Sequence, residues 1–244
     1  MPPWQPPRRT DAPLPEAADG PFTRLRVLTP RLSLEPIDDA MARRLADLAS
    51  RGVHHPDTMP FAFPWTDAPA HELVANTVEF HRGNRADLQP HRWAVNFAVM
   101  ADGALVGSTG LGAEAFPASR RFETGSWLGL EFQGRGLGKE MRLATLHLGV
   151  LGLDALVATT HAFHDNAASL GVTESLGYRQ VGEEQRQRRG RLDTSLAFEM
   201  TADDFRARLR RDDIRLEGVQ ECLPLLGLAD RKSTRLNSSH EWIS

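Results

Sequence analysis

The sequence has one cysteine, one tyrosine and no apolar run approaching the roughly 20 residues of a bilayer-crossing helix. Cys222 standing alone excludes an internal disulfide, and no zinc-type cysteine/histidine spacing occurs, so the reading includes no metal and expects a reducing compartment. The longest apolar stretch, Leu148 to Ala158, is short and broken by Asp154. Residues 1–20 are proline-rich and charged, with nothing like a signal sequence, and the expected location is the cytoplasm without a membrane partner. An excess of one charge is also missing. A net charge of −3 gives no global attraction to nucleic acid or an anionic surface. The basic run Arg186 to Arg191 falls at an expected hairpin and reads as a solvated turn, so no nucleic-acid partner is expected.

What is present suits one domain of ordinary size, with 41% hydrophobic residues in 244. The expected division is a disordered proline-rich lead-in at 1–20, one compact domain at 21–205, a C-terminal extension at 206–229 and a foreign tail at 230–244. That tail, DRKSTRLNSSHEWIS, opens on a run resembling the translation of a sequencing-library adapter, and without it the charge is −4. Alternation at Leu32 to Ile37 predicts a strand, and Asp38 or Asp39 can cap a following helix through Met41, Leu45 and Leu48. Residues 52–68 hold prolines 56, 60 and 64 between Phe61, Phe63 and Trp65, an irregular aromatic loop. A second helix is expected over Pro69 to Arg82. A hairpin of Trp93 to Met100 with Ala104 to Leu111 turns at Ala101-Asp102-Gly103. Then come a strand (Glu123 to Leu130), a glycine segment, a helix (Lys139 to Val150), a strand (Ala155 to His161), a helix (Asn166 to Leu176) and a closing pair, Tyr178 to Glu183 with Leu192 to Met200. The predicted class is α+β, a mixed and mainly antiparallel sheet flanked by helices.

Gln133-Gly134-Arg135-Gly136-Leu137-Gly138 lies between a strand and a helix. Closely spaced glycines there let backbone N–H groups turn toward phosphate oxygens at the positive end of the helix dipole, with Arg135 and Lys139 adding charge. A plain tight turn is the competing reading. The dinucleotide fingerprint wants glycine where Lys139 stands, and no Gly-Lys-Ser/Thr follows for a nucleotide-hydrolase loop.

With Leu28-Thr29-Pro30-Arg31-Leu32-Ser33-Leu34, Leu105-Val106-Gly107, Trp127-Leu128-Gly129, Gln133-x-x-Gly136-x-Gly138, Asn166-Ala167-Ala168-Ser169 and Leu176-Gly177-Tyr178 in this order, the chain resembles the GNAT acyltransferase superfamily. The likeness is to its branch similar to the RimJ/RimL ribosomal-protein N-terminal acetyltransferases, over about Leu28 to Thr201. The resemblance implies a GNAT fold and acetyl-coenzyme A as co-substrate. It places the pantetheine arm on the backbone of Leu128, Gly129 and Leu130 in a splayed gap, and the pyrophosphate over Gln133, Gly134, Arg135, Gly136, Leu137, Gly138 and Lys139. Asn166 and Ser169 would face the thioester end, although Asn166 is equally a helix cap. Glu123 matches the position of a general base, against a bland strand-edge glutamate, and Ser169 could assist the leaving thiolate. Many relatives carry a tyrosine acid where this chain has Thr173, and Tyr178 reads as packing. The acceptor is an amine, whether a small molecule, an amino sugar or a peptide N-terminus. It would be bound between residues 54–66 and 184–191, with Phe61, Phe63 and Trp65 either walling the site or covering the core. A homodimer is left open. The alternatives are a non-catalytic acyl-coenzyme A-binding or sensor module and, from a third class, a nucleotide-dependent oxidoreductase.

Overall fold

The computed structural model describes residues 20–228, so the proline-rich lead-in apart from Gly20 and the adapter-like tail lie outside the described residues. The chain runs β1 (Arg26–Leu28), β2 (Leu32–Pro36), α1 (Asp39–Ser50), α2 (Ala70–Ala86), β3 (Arg92–Ala101), β4 (Ala104–Glu114), α3 (Phe116–Ser119), β5 (Arg121–Leu128) and α4 (Leu137–His147). It continues through β6 (Val157–Phe163), α5 (Ala167–Ser175), β7 (Arg179–Arg188), β8 (Arg191–Thr201), α6 (Ala202–Arg208), β9 (Arg215–Glu217) and α7 (Val219–Cys222). The nine strands form one sheet in the order β7-β8-β6-β5-β4-β3-β2-β1-β9, antiparallel everywhere except between β5 and β6. The α+β expectation therefore holds.

Local chemistry explains the elements that place the site. Asp38 accepts from the Met41 N–H at 2.7 Å and so starts α1. Asp102 and Gly103, at φ of 49° and 78°, make the two-residue turn that closes the β3/β4 hairpin. On one face of the sheet, α1 and α2 bury Ile37, Ala42, Leu45 and Val78 against Ala98 of β3. On the other, α4 is sunk in the main core, with Leu146, and Leu148 just past its end, fully buried beside Phe97, Phe122 and Phe205.

Residues 206–228 enter that same main core through Ile214, Val219, Cys222, Leu223 and Leu226, and β9 pairs with β1 at the sheet edge. His147 at the end of α4 fastens this segment. Its Nδ1 faces the Leu143 carbonyl at 2.9 Å, its Nε2 accepts from the Arg211 N–H at 3.0 Å, and its ring meets Phe205 edge-on at 4.8 Å. Burial lowers its ionisation, in keeping with a neutral ring that donates on one side and accepts on the other. Leu226 is fully buried and its neighbour Leu225 is 44% exposed. Leu226→Ala should therefore cost about 2–5 kcal/mol in urea denaturation and Leu225→Ala under about 0.5 kcal/mol. Equal effects would mean that this segment does not share the core in solution.

Candidate active site: a wedge between two parallel strands

Strands β5 and β6 share three residue pairs, Arg121/Val157, Phe122/Ala158 and Glu123/Thr159. Past Glu123, β5 stays on β4 as far as Leu128 and β6 stays on β8 as far as Phe163, so the two separate into a wedge. The bond from the Gly129 N–H to the Val106 carbonyl (3.0 Å) sets the phase of β5. Gly125 and Trp127 turn their peptide groups to β4, whereas Thr124 turns its carbonyl to the Thr160 hydroxyl of β6, and Ser126 and Leu128 turn theirs to the gap. The wedge opens into a cleft of about 1690 Å³ whose walls include Glu123, Gly134, Gly136, Asn166 and Ser169.

At the wide end lies the glycine segment. Gly134 and Gly136 hold φ of 73° and 75°, which a side chain would strain, and Gly136 precedes α4 with no side-chain cap on the helix N–H groups. Gly138 and Lys139 also line the cleft. Lys139 Nζ donates to the Ser175 carbonyl at 3.2 Å. Arg135 stacks its guanidinium over Phe132, and Leu137 is buried in the core. Gln133 donates from Nε2 to both the Leu128 carbonyl (2.9 Å) and the Val53 carbonyl (2.7 Å), which ties the loop to the end of β5. Of the three residues expected along the pantetheine arm, Leu128 and Leu130 line the cleft, and of these Leu128 turns its backbone to the gap. The Leu130 N–H is spent on the Gly52 carbonyl, and Gly129 packs so closely that a Cβ there would lie 2.8 Å from Leu48.

The loop is held from outside by the turn between β1 and β2. Thr29 donates its hydroxyl to Glu140 Oε1 (2.6 Å), Arg31 Nε donates to Oε2 (2.6 Å), and a second Arg31 nitrogen reaches the Arg135 carbonyl at 3.2 Å.

Near the narrow end, Glu123 stands in the interior of the sheet rather than on an edge strand. His161 Nδ1 lies 3.1 Å from its Oε1, His161 Nε2 lies 3.2 Å from Glu184 Oε1, and Arg186 Nε donates to that same oxygen at 2.9 Å. Both ring nitrogens thus face carboxylate oxygens. Burial alone would raise the Glu123 carboxyl. The His161 hydrogen bond, helped by the His161 and Arg186 charges, outweighs it and holds the group below the usual glutamate range.

Asn166 caps α5, accepting from the Ser169 N–H at 3.1 Å. Thr173 is fully buried and donates to the Ser169 carbonyl, and Tyr178 is likewise buried. In and beside the 54–66 loop, Phe61, Trp65 and Trp127 stack at 5.3 and 5.5 Å. Phe61 and Trp65 thus cover a small core of Ala46, Ala49, Val53 and Leu73 while also lining the cleft. The tip of the β7/β8 hairpin holds this loop: Arg188 donates to the Met59 carbonyl and pairs with Asp165, and Arg189 pairs with Asp67 at 2.6 Å. Among the described residues, no group of three or more His, Cys, Asp or Glu is arranged to hold a metal, and no helix is long and apolar enough to cross a membrane.

Residues 31–179 match the model of the acetyltransferase (GNAT) domain. The chain belongs to the GNAT acetyltransferase family. It is an acyltransferase, and enzymes of this family use acetyl-coenzyme A. Its fold is shared with RimJ of Mycobacterium smegmatis, solved in complex with CoA-disulfide. That match has 18% identity and a TM-score of 0.63, over 82% of this chain and 92% of that one. RimL, a ribosomal L7/L12 alpha-N-protein acetyltransferase in complex with coenzyme A, matches at 17% identity and TM-score 0.60, over 72% and 97%. The spermidine N-acetyltransferase SpeG chimera from Vibrio cholerae and hSSAT matches at 16% and 0.58, over 73% and 99%.

Glu140 yields a test of how the loop is held. Burial would raise its carboxyl, but the Thr29 and Arg31 hydrogen bonds prevail and lower it, so it stabilises the fold above the ordinary glutamate value and loses that contribution as pH falls through the lowered one. Glu140→Gln should cost about 1–3 kcal/mol near pH 7. The gap between variant and parent in urea denaturation should close below about pH 4. A gap independent of pH would contradict the assignment.

Proposed function

We propose that this enzyme transfers the acetyl group of acetyl-coenzyme A to a primary amine, a small molecule or a protein N-terminus, in the cytoplasm. The observation that carries the reading is the position of Glu123: an ionised, half-buried carboxylate on the last shared pair of β5 and β6, in a cleft whose other end is the glycine segment.

Pyrophosphate oxygens fit the uncapped N–H groups at the start of α4, and the peptide-like pantetheine arm fits the gap-facing groups of Leu128 and Ser126. An amine entering from the side of the 54–66 loop meets Glu123, which accepts a proton from nitrogen as the lone pair attacks the thioester carbonyl. Collapse of the tetrahedral species forms the amide and breaks the C–S bond. His161 acts through Glu123, fixing its orientation and linking it to the Glu184–Arg186 pair. Ser169 faces the cleft from the first turn of α5 and assists at the sulfur end. Stacked Phe61, Trp65 and Trp127 suit a cationic or apolar acceptor.

Glu123→Gln should lower kcat by about 100- to 10,000-fold in a thiol-release assay across an amine panel. Acetyl-coenzyme A at about 100 times its Kd should still stabilise this variant by about 2.7 kcal/mol in thermal denaturation. Undiminished turnover would remove Glu123 as the base, and the absence of any coenzyme-dependent stabilisation in the parent protein would remove the coenzyme reading.

A further inference from the structure

Arg142 differs from every other buried polar group on α4. It is 4% exposed within the apolar run of Met141, Leu143 and Ala144, and no ion-pair partner for it occurs among the described residues. Glu140 is consumed by Thr29 and Arg31, and His147 by Leu143 and Arg211. The two terminal nitrogens of Arg142 donate to Thr160 Oγ1 at 3.0 Å and Ser126 Oγ at 3.4 Å, while its Nε is buried without a hydrogen-bond partner. A buried cation without a counter-ion is costly unless an anion arrives to meet it.

Its place says which anion. Thr160 directly follows Thr159, the last β6 residue paired with β5, and Ser126 is the next gap-facing residue after Leu128 on the way into the wedge. The guanidinium therefore spans the wedge from the α4 side, while Glu123 and His161 lie on the α1/α2 side of the sheet. Gly138 and Arg142, one turn apart on α4, both line the cleft, so a path runs from the glycine segment to the guanidinium.

We propose that Arg142 stabilises the coenzyme sulfur anion released in acyl transfer, the task that a proton-donating tyrosine would otherwise perform. The inference rests on the coenzyme reading above. As the amine nitrogen bonds to the acyl carbon, the C–S electron pair passes to sulfur, the amine proton goes to Glu123, and Arg142 keeps its own protons, meeting the thiolate by charge and hydrogen bonding. Besides Glu123 and His161 across the sheet, the titratable group beside Arg142 is the Tyr178 phenol, whose ionisation burial pushes up.

The direct test titrates the thiol of coenzyme A bound to the full-length enzyme by its ultraviolet thiolate absorbance, with free coenzyme A as reference. The bound thiol should ionise about one pH unit lower than the free one, or about tenfold more thiolate at a given pH. That shift should vanish in Arg142→Met and persist in part in Arg142→Lys. In the same Met variant kcat should fall about 100-fold or more, with the KM for acetyl-coenzyme A changed by less than about threefold. Identical titrations of bound and free thiol in the parent enzyme would overturn the proposal whether or not any variant folds, as would a Met variant with parental kcat. Failure of the parent to bind coenzyme A would overturn the coenzyme reading, and this inference with it, which separates that failure from the loss of Arg142's role alone.

Discussion

Three shared residue pairs between β5 and β6 govern the arrangement of the whole site. In a parallel pair that continued, the peptide groups of Ser126 and Leu128 would be consumed by β6, as the Thr124 carbonyl already is by the Thr160 hydroxyl, and no opening would exist. Each strand instead has a stronger hold elsewhere, β5 on β4 over six pairs and β6 on β8 over seven, so each follows its antiparallel neighbour and the sheet parts at its one parallel contact. The carboxylate that begins the parting, the guanidinium spanning it and the glycine segment at its mouth are positioned by that divergence.

Much of this was legible in the sequence because it is locally encoded. The Asp38 cap, the Asp102-Gly103 turn and the Asn166 cap each depend on residues within three or four positions of one another. Strand and helix limits moved by a few residues where a nonlocal contact decides them. Strand β5 starts at Arg121 rather than Glu123 and stops at Leu128, because Gly129 must approach Leu48 of α1. Strands β1 and β9, three residues each, exist only through partners distant in sequence, and no periodicity could reveal them. The same division runs through the site. Glu123 and the glycine segment belong to a continuous motif. Arg142 hides inside an apolar helical pattern, and His161, which the sequence shows only as the end of an expected strand, gains meaning when β6 brings it to Glu123 and Glu184.

The tip of the β7/β8 hairpin shows how a run of like charge can be structural. Arg186, Arg188 and Arg189 are each matched by a carboxylate, on Glu184, on Asp165 and Asp193, and on Asp67 respectively, so the run joins the hairpin tip to the aromatic loop instead of projecting a positive field. Two segments that sequence reading placed on opposite walls of one cleft are thereby connected across it. The aromatic stack on the loop consequently has a fixed backing rather than a free surface.

Helix α4 is anchored at both of its ends, by Thr29 and Arg31 at its first turn and by Arg211 and Phe205 at its last. These anchors come from the two extremes of the described chain, which also meet edge to edge as β1 and β9. An eleven-residue helix is about 16 Å long and stiff, so it behaves as a strut rather than as a spring. The beginning and the end of the fold thus share one mechanical task, keeping still the glycine turn that leads into α4, and alterations near the C-terminal segment will be felt there as misalignment rather than as local damage.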